Sequence, residues 1–328
     1  MGFISRERDG EQNDGTAGHS VVHFAHKSRQ DQPEMTAPDT TNLPTIGDDR
    51  RPVFLMEPGL LPVFRHVEGP FAMVSHVGWG ELHDALRQSP PSTMVVVDPY
   101  AGARSGERFP WLRELLRRFP SVPVVAAMEL RRELAPEVNM LVEWGVSEVV
   151  SLGREVAPLA LGRRLEQAHA RPLKRALEPT LSPLVRSDAR QILMAAAEVA
   201  ADGGQAPELG TRLRVSSRTL TERCTRAELP PPRAVQAWMR VLLACMLLDD
   251  PGRTVYGAAY ASGYQSDRSL RRAITALLGV DSTTLRRAGA FKTAVKAFNV
   301  MLREAREAIQ EAAREAEREQ QRRALARE

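Results

Sequence analysis

The chain has 328 residues, of which 43% are hydrophobic and 26% charged, and its net charge is +4. Those proportions describe an ordinary water-soluble globular protein of two domains' length. No apolar run approaches the roughly 20 residues of a membrane span, so a helical membrane protein is excluded. The N-terminus has no apolar core segment, so no secretory signal is expected and the chain reads as cytoplasmic. Both cysteines, Cys224 and Cys245, fall in expected helices and read as buried free thiols.

Residues 1–50 carry five basic and nine acidic side chains among scattered Gly, Pro and Gln, with no periodicity. This segment is expected to be disordered. His19, His23 and His26 lie together in it and read as solvated side chains. His66, His76, His83 and His169 lack ligand spacing, so no metal site is expected.

From Arg51 short apolar runs alternate with amphipathic stretches. The runs are 53–56, 71–74, 94–97, 122–127 and 146–150, and helical patterns cover 80–88, 110–118, 130–143 and 155–169. Pro62 shortens the element expected in 57–70. Five strands alternating with helices over 51–170 imply a small parallel sheet with helices on both faces. Pro172, Pro179 and Pro183 mark 171–186 as a linker, and a helix is expected from about Ser187 to Ala201.

Two helix-turn-helix patterns follow, at 209–224 and 254–274. In each, a short apolar helix meets a tight turn, and a second helix opens with small polar and Arg residues. A protein that places side chains in a DNA major groove needs this arrangement. A helix from about Pro232 to Leu248 joins them, an expected rod on the order of 25 Å long. Residues 185–290 hold fifteen arginines, ten acids and no lysine. Guanidinium forks suit phosphates and guanine edges. The tail, 290–328, alternates Arg, Glu and Ala and is expected to be helical. Leu302, Ile309 and Ala316 keep a seven-residue spacing that Arg323 breaks, leaving either a short coiled coil or a solvated helix.

The stretch 187–289 resembles the C-terminal DNA-binding domain of the AraC/XylS transcription regulators. The resemblance rests on Val215-Ser216-Ser217-Arg218-Thr219-Leu220, on Arg240, Ala244, Leu247 and Leu248, on Gly263-Tyr264-Gln265-Ser266, and on Arg272-Ala273, Gly279 and Leu285-Arg286. It implies an all-α tandem helix-turn-helix domain binding double-stranded DNA in adjacent major grooves. Ser216 and Ser266 are placed to cap the recognition helices, and Gly263 to take a left-handed turn. Candidate DNA contacts are Ser216, Ser217, Arg218, Thr219, Thr221, Glu222 and Arg223 in the first unit. In the second they are Gln265, Ser266, Asp267, Arg268, Arg271 and Arg272. Most contacts of this kind go to phosphate rather than to bases. Leu229 replaces a usual Gly, Gly257 a usual acid, and Cys224, Leu270 and Ile274 usual aromatics. The second unit is therefore expected to have the more altered core, and the first to be the better reader.

Residues 51–170 look like a response-regulator receiver, an α/β flavodoxin-like fold with a five-stranded parallel sheet. Asp98, ending the third strand run, stands at the receiver's phosphoacceptor position. Aspartyl phosphate chemistry also needs Mg²⁺ and charge stabilisation of the transferring group. Glu57 is the only nearby acid after the first strand, while Met128 and Leu152 stand at the hydroxyl and Lys positions. Asp98 is therefore not expected to be phosphorylated. The domain reads as a dimerisation or docking module.

The sequence thus implies a transcription regulator, not an enzyme, with no catalytic residues and no cofactor. Its expected partners are DNA, a second copy, and RNA polymerase or another regulatory protein, with no membrane. The alternatives are an interaction adaptor without DNA binding and a regulator switched through Asp98.

Overall fold

The structure, a computed structural model, describes residues 50–100, 109–153 and 157–325. The expected disorder of 1–50 and the histidines within it fall outside the described residues, Arg50 excepted.

Each apolar run forms a strand: β1 (Arg51–Met56), β2 (Phe71–His76), β3 (Met94–Val97), β4 (Val124–Met128) and β5 (Glu148–Ser151). Between and after them lie α1 (Leu61–Phe64), α2 (Trp79–Gln88), α3 (Pro110–Arg118), α4 (Ala135–Trp144) and α5 (Pro158–His169). All neighbouring strands are parallel, in the order β2-β1-β3-β4-β5. That is the flavodoxin-like doubly wound order. Central β3 reads Met-Val-Val-Val and is buried at every position, as a strand covered on both faces must be. Alternate β3 residues enter two cores. Val95 and Val97 pack with Leu82, Leu86, Leu112, Leu115 and Leu141 of α2, α3 and α4. Met94 and Val96 pack with Phe64, Leu161 and Leu165 of α1 and α5.

The helical part consists of α6 (Arg171–Leu177), α7 (Ser187–Ala201), α8 (Ala206–Arg212), α9 (Ser217–Arg226), α10 (Pro232–Asp249), α11 (Val255–Ala261), α12 (Asp267–Leu278), α13 (Ser282–Arg287) and α14 (Ala290–Leu325). The stretch 171–186, expected as a linker, differs from that expectation. It begins with α6, and Leu173, Leu177 and Leu181 are buried in the helical core. Its prolines do not prevent this, because Pro172 sits in the first turn of α6, where no backbone donor is needed. The connector α10 is helical over nearly the expected span and lies in the core. Every residue from Val241 to Leu248 is buried, and its Trp238 ring meets Phe298 of α14 at 5.6 Å. A helix apolar all round belongs in a core. Burial also raises the thiols of Cys224 and Cys245 to about 11 and about 12, so both are inert.

The described residues form one compact unit. The α10–α11 loop inserts against the sheet domain. The Asp250 carboxylate accepts hydrogen bonds from the Ser121 backbone N–H, at 3.2 Å, and from the Ser121 hydroxyl. Arg253 donates to the Ser89 carbonyl. Asp250 and Arg253 are 3% and 5% exposed. Burial raises the Asp250 carboxyl to about 6, against the opposing pull of Ser121 and Arg253. Between them Gly252 has φ +81°, and a Cβ there would lie 2.5 Å from the Arg87 carbonyl oxygen.

Candidate nucleic-acid interface

In the first helix-turn-helix unit, α8 ends in a turn whose left-handed residue is Arg214, with φ 54°. The Val215 N–H closes the turn on the Gly210 carbonyl at 2.9 Å. Ser216 then caps α9, its hydroxyl accepting from the Thr219 N–H at 3.1 Å. Such a cap satisfies one of the four free donors at a helix start. Leu220 and Cys224, one turn apart, are buried. Ser217, Arg218, Thr221, Glu222 and Arg223 lie exposed around the rest of the helix, and Thr219 is half-buried.

The second unit repeats the plan. Thr254 caps α11, accepting from Gly257 N–H. The left-handed residue is Gly263, with φ +76°, and Tyr264 N–H closes on the Ala259 carbonyl at 2.8 Å. Ser266 and Ser269 form a reciprocal capping box at the start of α12. Leu270 and Ile274 are fully buried. The spacing from cap to buried pair is the same in both units: Ser216, Leu220, Cys224 and Ser266, Leu270, Ile274. Positions on the two recognition helices therefore correspond. Arg218 matches Arg268, and Thr221 and Glu222 match Arg271 and Arg272. The residues that replace the family's usual aromatics are buried in both units. Leu270 and Ile274 are both 0% exposed, and Cys224 at the matching place in α9 is 1% exposed. The second unit also presents the more cationic face.

A protein-family model for a helix-turn-helix domain matches residues 209–288. The C-terminal part of the chain therefore carries a helix-turn-helix domain. No curated protein matches the chain. Among solved structures, one described as the structure of xylose-binding transcription activator xylR is similar over 74% of this chain and 71% of its own. Its identity is 15% and its TM-score 0.30, too distant to bear on fold or function.

Within the helix-turn-helix domain the candidate residues divide by what already holds them. Ser216 and Ser266 are committed to caps, and the Thr221 hydroxyl to the Ser217 carbonyl. Arg218 pairs with Glu222 at 3.0 Å. Arg271 reaches both Asp267, at 3.5 Å, and the Ser282 hydroxyl, at 2.9 Å. Gln265, Arg268 and Arg272 are exposed and make no hydrogen bond or ion pair among the described residues. Arg223 is likewise exposed, beside Arg226 and Asp188 in a shallow depression.

Arg240 of α10 was legible only as a motif residue, and its role comes from geometry. Its guanidinium donates to the carbonyls of Ser262, at 2.8 Å, and Gly263, and to Gln205 Oε1 at 3.1 Å. It also stacks over the Tyr264 ring at 4.0 Å. One side chain thus ties the start of the first unit to the turn of the second. Arg286 similarly holds the Leu248 and Arg253 carbonyls. Leu229 has its own explanation. Left-handed backbone falls on Glu228, with φ 57°, so Leu229 is free to be buried. The Glu228 carboxylate is held from α14 by Arg306 at 2.8 Å and Gln310 at 2.9 Å. Gly257 faces Pro91 of the sheet domain, which a Cβ would meet at 3.5 Å.

At the far end of the sheet Asp98 follows β3, and its carboxylate accepts from Tyr100 N–H at 2.9 Å. It lines a depression with Met128, Leu152, Glu129 and Glu137. Among the described residues no group of His, Cys, Asp and Glu is arranged to hold a metal ion. No helix of the described residues is long and apolar enough to cross a membrane.

Proposed function

We propose that this protein is a sequence-specific DNA-binding transcription regulator of the AraC/XylS kind, with α9 and α12 entering adjacent major grooves. The observation that carries the reading is the matched register of the two capped helices. Each buries its fourth and eighth residue after the cap and turns the intervening polar face outward. Arg268, Arg272 and Gln265 then read bases or grip phosphate. Arg can contact guanine bidentately and Gln adenine. Arg218, Arg271, Ser217, Thr219, Thr221, Glu222, Arg223 and Asp267 position the helices, mainly on phosphate, while Ser216 and Ser266 aim them through their caps.

The sheet domain acts in this reading as a receiver-like module without phosphoryl switching. Met128 and Leu152 beside Asp98 supply neither the hydroxyl nor the ammonium that would stabilise a transferring phosphoryl group. The domain would serve a second copy of the chain, RNA polymerase or another regulator as a docking surface.

The test is binding to DNA recovered by selection from genomic fragments. Arg268→Ala combined with Arg272→Ala is expected to weaken binding by about 1–3 kcal/mol per residue lost from a base contact. A double variant that binds DNA like the unmodified protein contradicts the assignment.

A further inference from the structure

A cleft of about 540 Å³ separates the sheet domain from the second helix-turn-helix unit. Cavities of roughly 300–1,000 Å³ at domain interfaces are where proteins hold small molecules. Pro91 and Pro123 line it on the sheet side, and Leu173, Met246 and Leu247 form a buried apolar wall. Tyr256 and Tyr260 of α11 stand at its opening, 67% and 74% exposed. Large aromatic rings left in water beside an apolar cleft offer a ligand flat surface to cover.

One polar group in this lining lacks a partner. His169 donates from Nε2 to the Ala201 carbonyl at 3.0 Å, because a carbonyl only accepts. Burial, helped by the nearby Arg51 charge, lowers the His169 pKa to about 4. The ring is therefore neutral near pH 7, and Nδ1 is a bare acceptor. Nδ1 is buried and has no hydrogen-bond partner. A buried acceptor left unmade is costly, and a bound donor relieves it. Arg51 and Asp202, which also line the cleft, face each other loosely at 4.0 Å.

We propose that this cleft is an effector site for a small, flat, mostly apolar molecule bearing one N–H or O–H donor, which bonds His169 Nδ1. Because α11 supplies one wall, occupancy sets how the second unit sits against the sheet domain. A ligand can shift that balance only by its differential contacts in the two arrangements. Tyr256, Gly257 and Tyr260 on one side, with Pro91 on the other, provide those contacts. The regulatory half of the inference rests on the DNA-binding reading. The binding half does not.

Indole, a flat apolar molecule with one N–H donor, is the probe. Calorimetric titration of the full chain with indole is expected to show saturable binding. 1-Methylindole, which lacks the donor, is expected to bind about five- to tenfold more weakly, the worth of one hydrogen bond. Ser92→Phe, which fills the cleft from the sheet side, is expected to abolish binding. Backbone amide shifts in the unmodified protein should move at Gly257 and Ala261, which locates the site even if Ser92→Phe fails to fold. No binding of indole up to its solubility, equal binding of 1-methylindole, or shifts confined elsewhere would overturn the site. DNA affinity is then measured with and without indole and is expected to change severalfold. Unchanged affinity in a protein that binds both ligand and DNA overturns the regulatory half. Loss of all DNA binding with indole binding intact would instead count against the DNA reading alone.

Discussion

Arg214 and Gly263 occupy the same place in their two turns, yet only one of them must be glycine. Both take left-handed backbone, at φ 54° and +76°. Arg214 is exposed, so its side chain meets only the conformational penalty of that region, about 1–2 kcal/mol. At Gly263 a Cβ would also lie 2.5 Å from the Gly203 carbonyl oxygen. Gly263→Ala is therefore expected to cost about 2–4 kcal/mol in urea denaturation, and Arg214→Gly to gain up to about 1 kcal/mol. Asp250 gives a pH signature. Its carboxyl is raised to about 6 in the folded protein against 3.8 as the ordinary value. A raised folded pKa means that the folded state binds the proton more tightly. The stabilisation is complete below about 4 and is lost as pH rises through about 6. The difference in stability between the unmodified protein and Asp250→Asn should change over that window, by up to about 3 kcal/mol, and stay flat above it. A difference that is constant from pH 4 to 7 contradicts the buried carboxyl.

At the scale of elements, much was legible in the sequence, and for nameable reasons. The all-apolar run at β3 marks a central parallel strand, because only such a strand is buried on both faces. Ser216, Ser266 and the apolar residues four and eight positions later mark helix starts and seams. What the sequence hid was tertiary. Pro172 and Pro179 read as linker signals, but both sit in or beside short helical turns whose leucines join the core. Gly257 and Leu229 read as weakening departures. One meets a proline from another domain, and the other follows a left-handed glutamate held by α14. The role of Arg240 depends on partners 35 residues before it and 22 and 23 residues after it, which only folding brings together, and pattern alone does not reveal it. The tail divides sharply. Ala290, Ala294, Val295, Phe298 and Leu302 are buried, whereas 311–325 are exposed throughout. Truncation after Gln310 is expected to change unfolding free energy by less than about 0.5 kcal/mol, as for surface changes generally. A larger loss would show that the distal helix packs on something.

At the scale of the whole molecule, the sheet domain and the helix-turn-helix domain are joined by buried polar groups rather than by a tether. Asp250 on Ser121 and Arg253 on Ser89 fix the loop that leads into α11. Removing one partner of such a buried pair leaves the other uncompensated. Arg253→Ala is accordingly expected to lower stability by about 3 kcal/mol and to loosen the second unit more than the first, which hydrogen exchange at α11 and α9 would read. In the proposed function, the same architecture would put α9 and α12 on a frame that the sheet domain can bias. All of this matters for function only if the helix-turn-helix domain reads DNA. The decisive measurement is the affinity of the full chain for a selected genomic duplex and for a scrambled one, across a salt series. The account predicts tighter binding to the selected duplex at every salt concentration, weakening as salt rises, with that preference reduced by Arg268→Ala. Equal binding to both duplexes, or none to either, would contradict it.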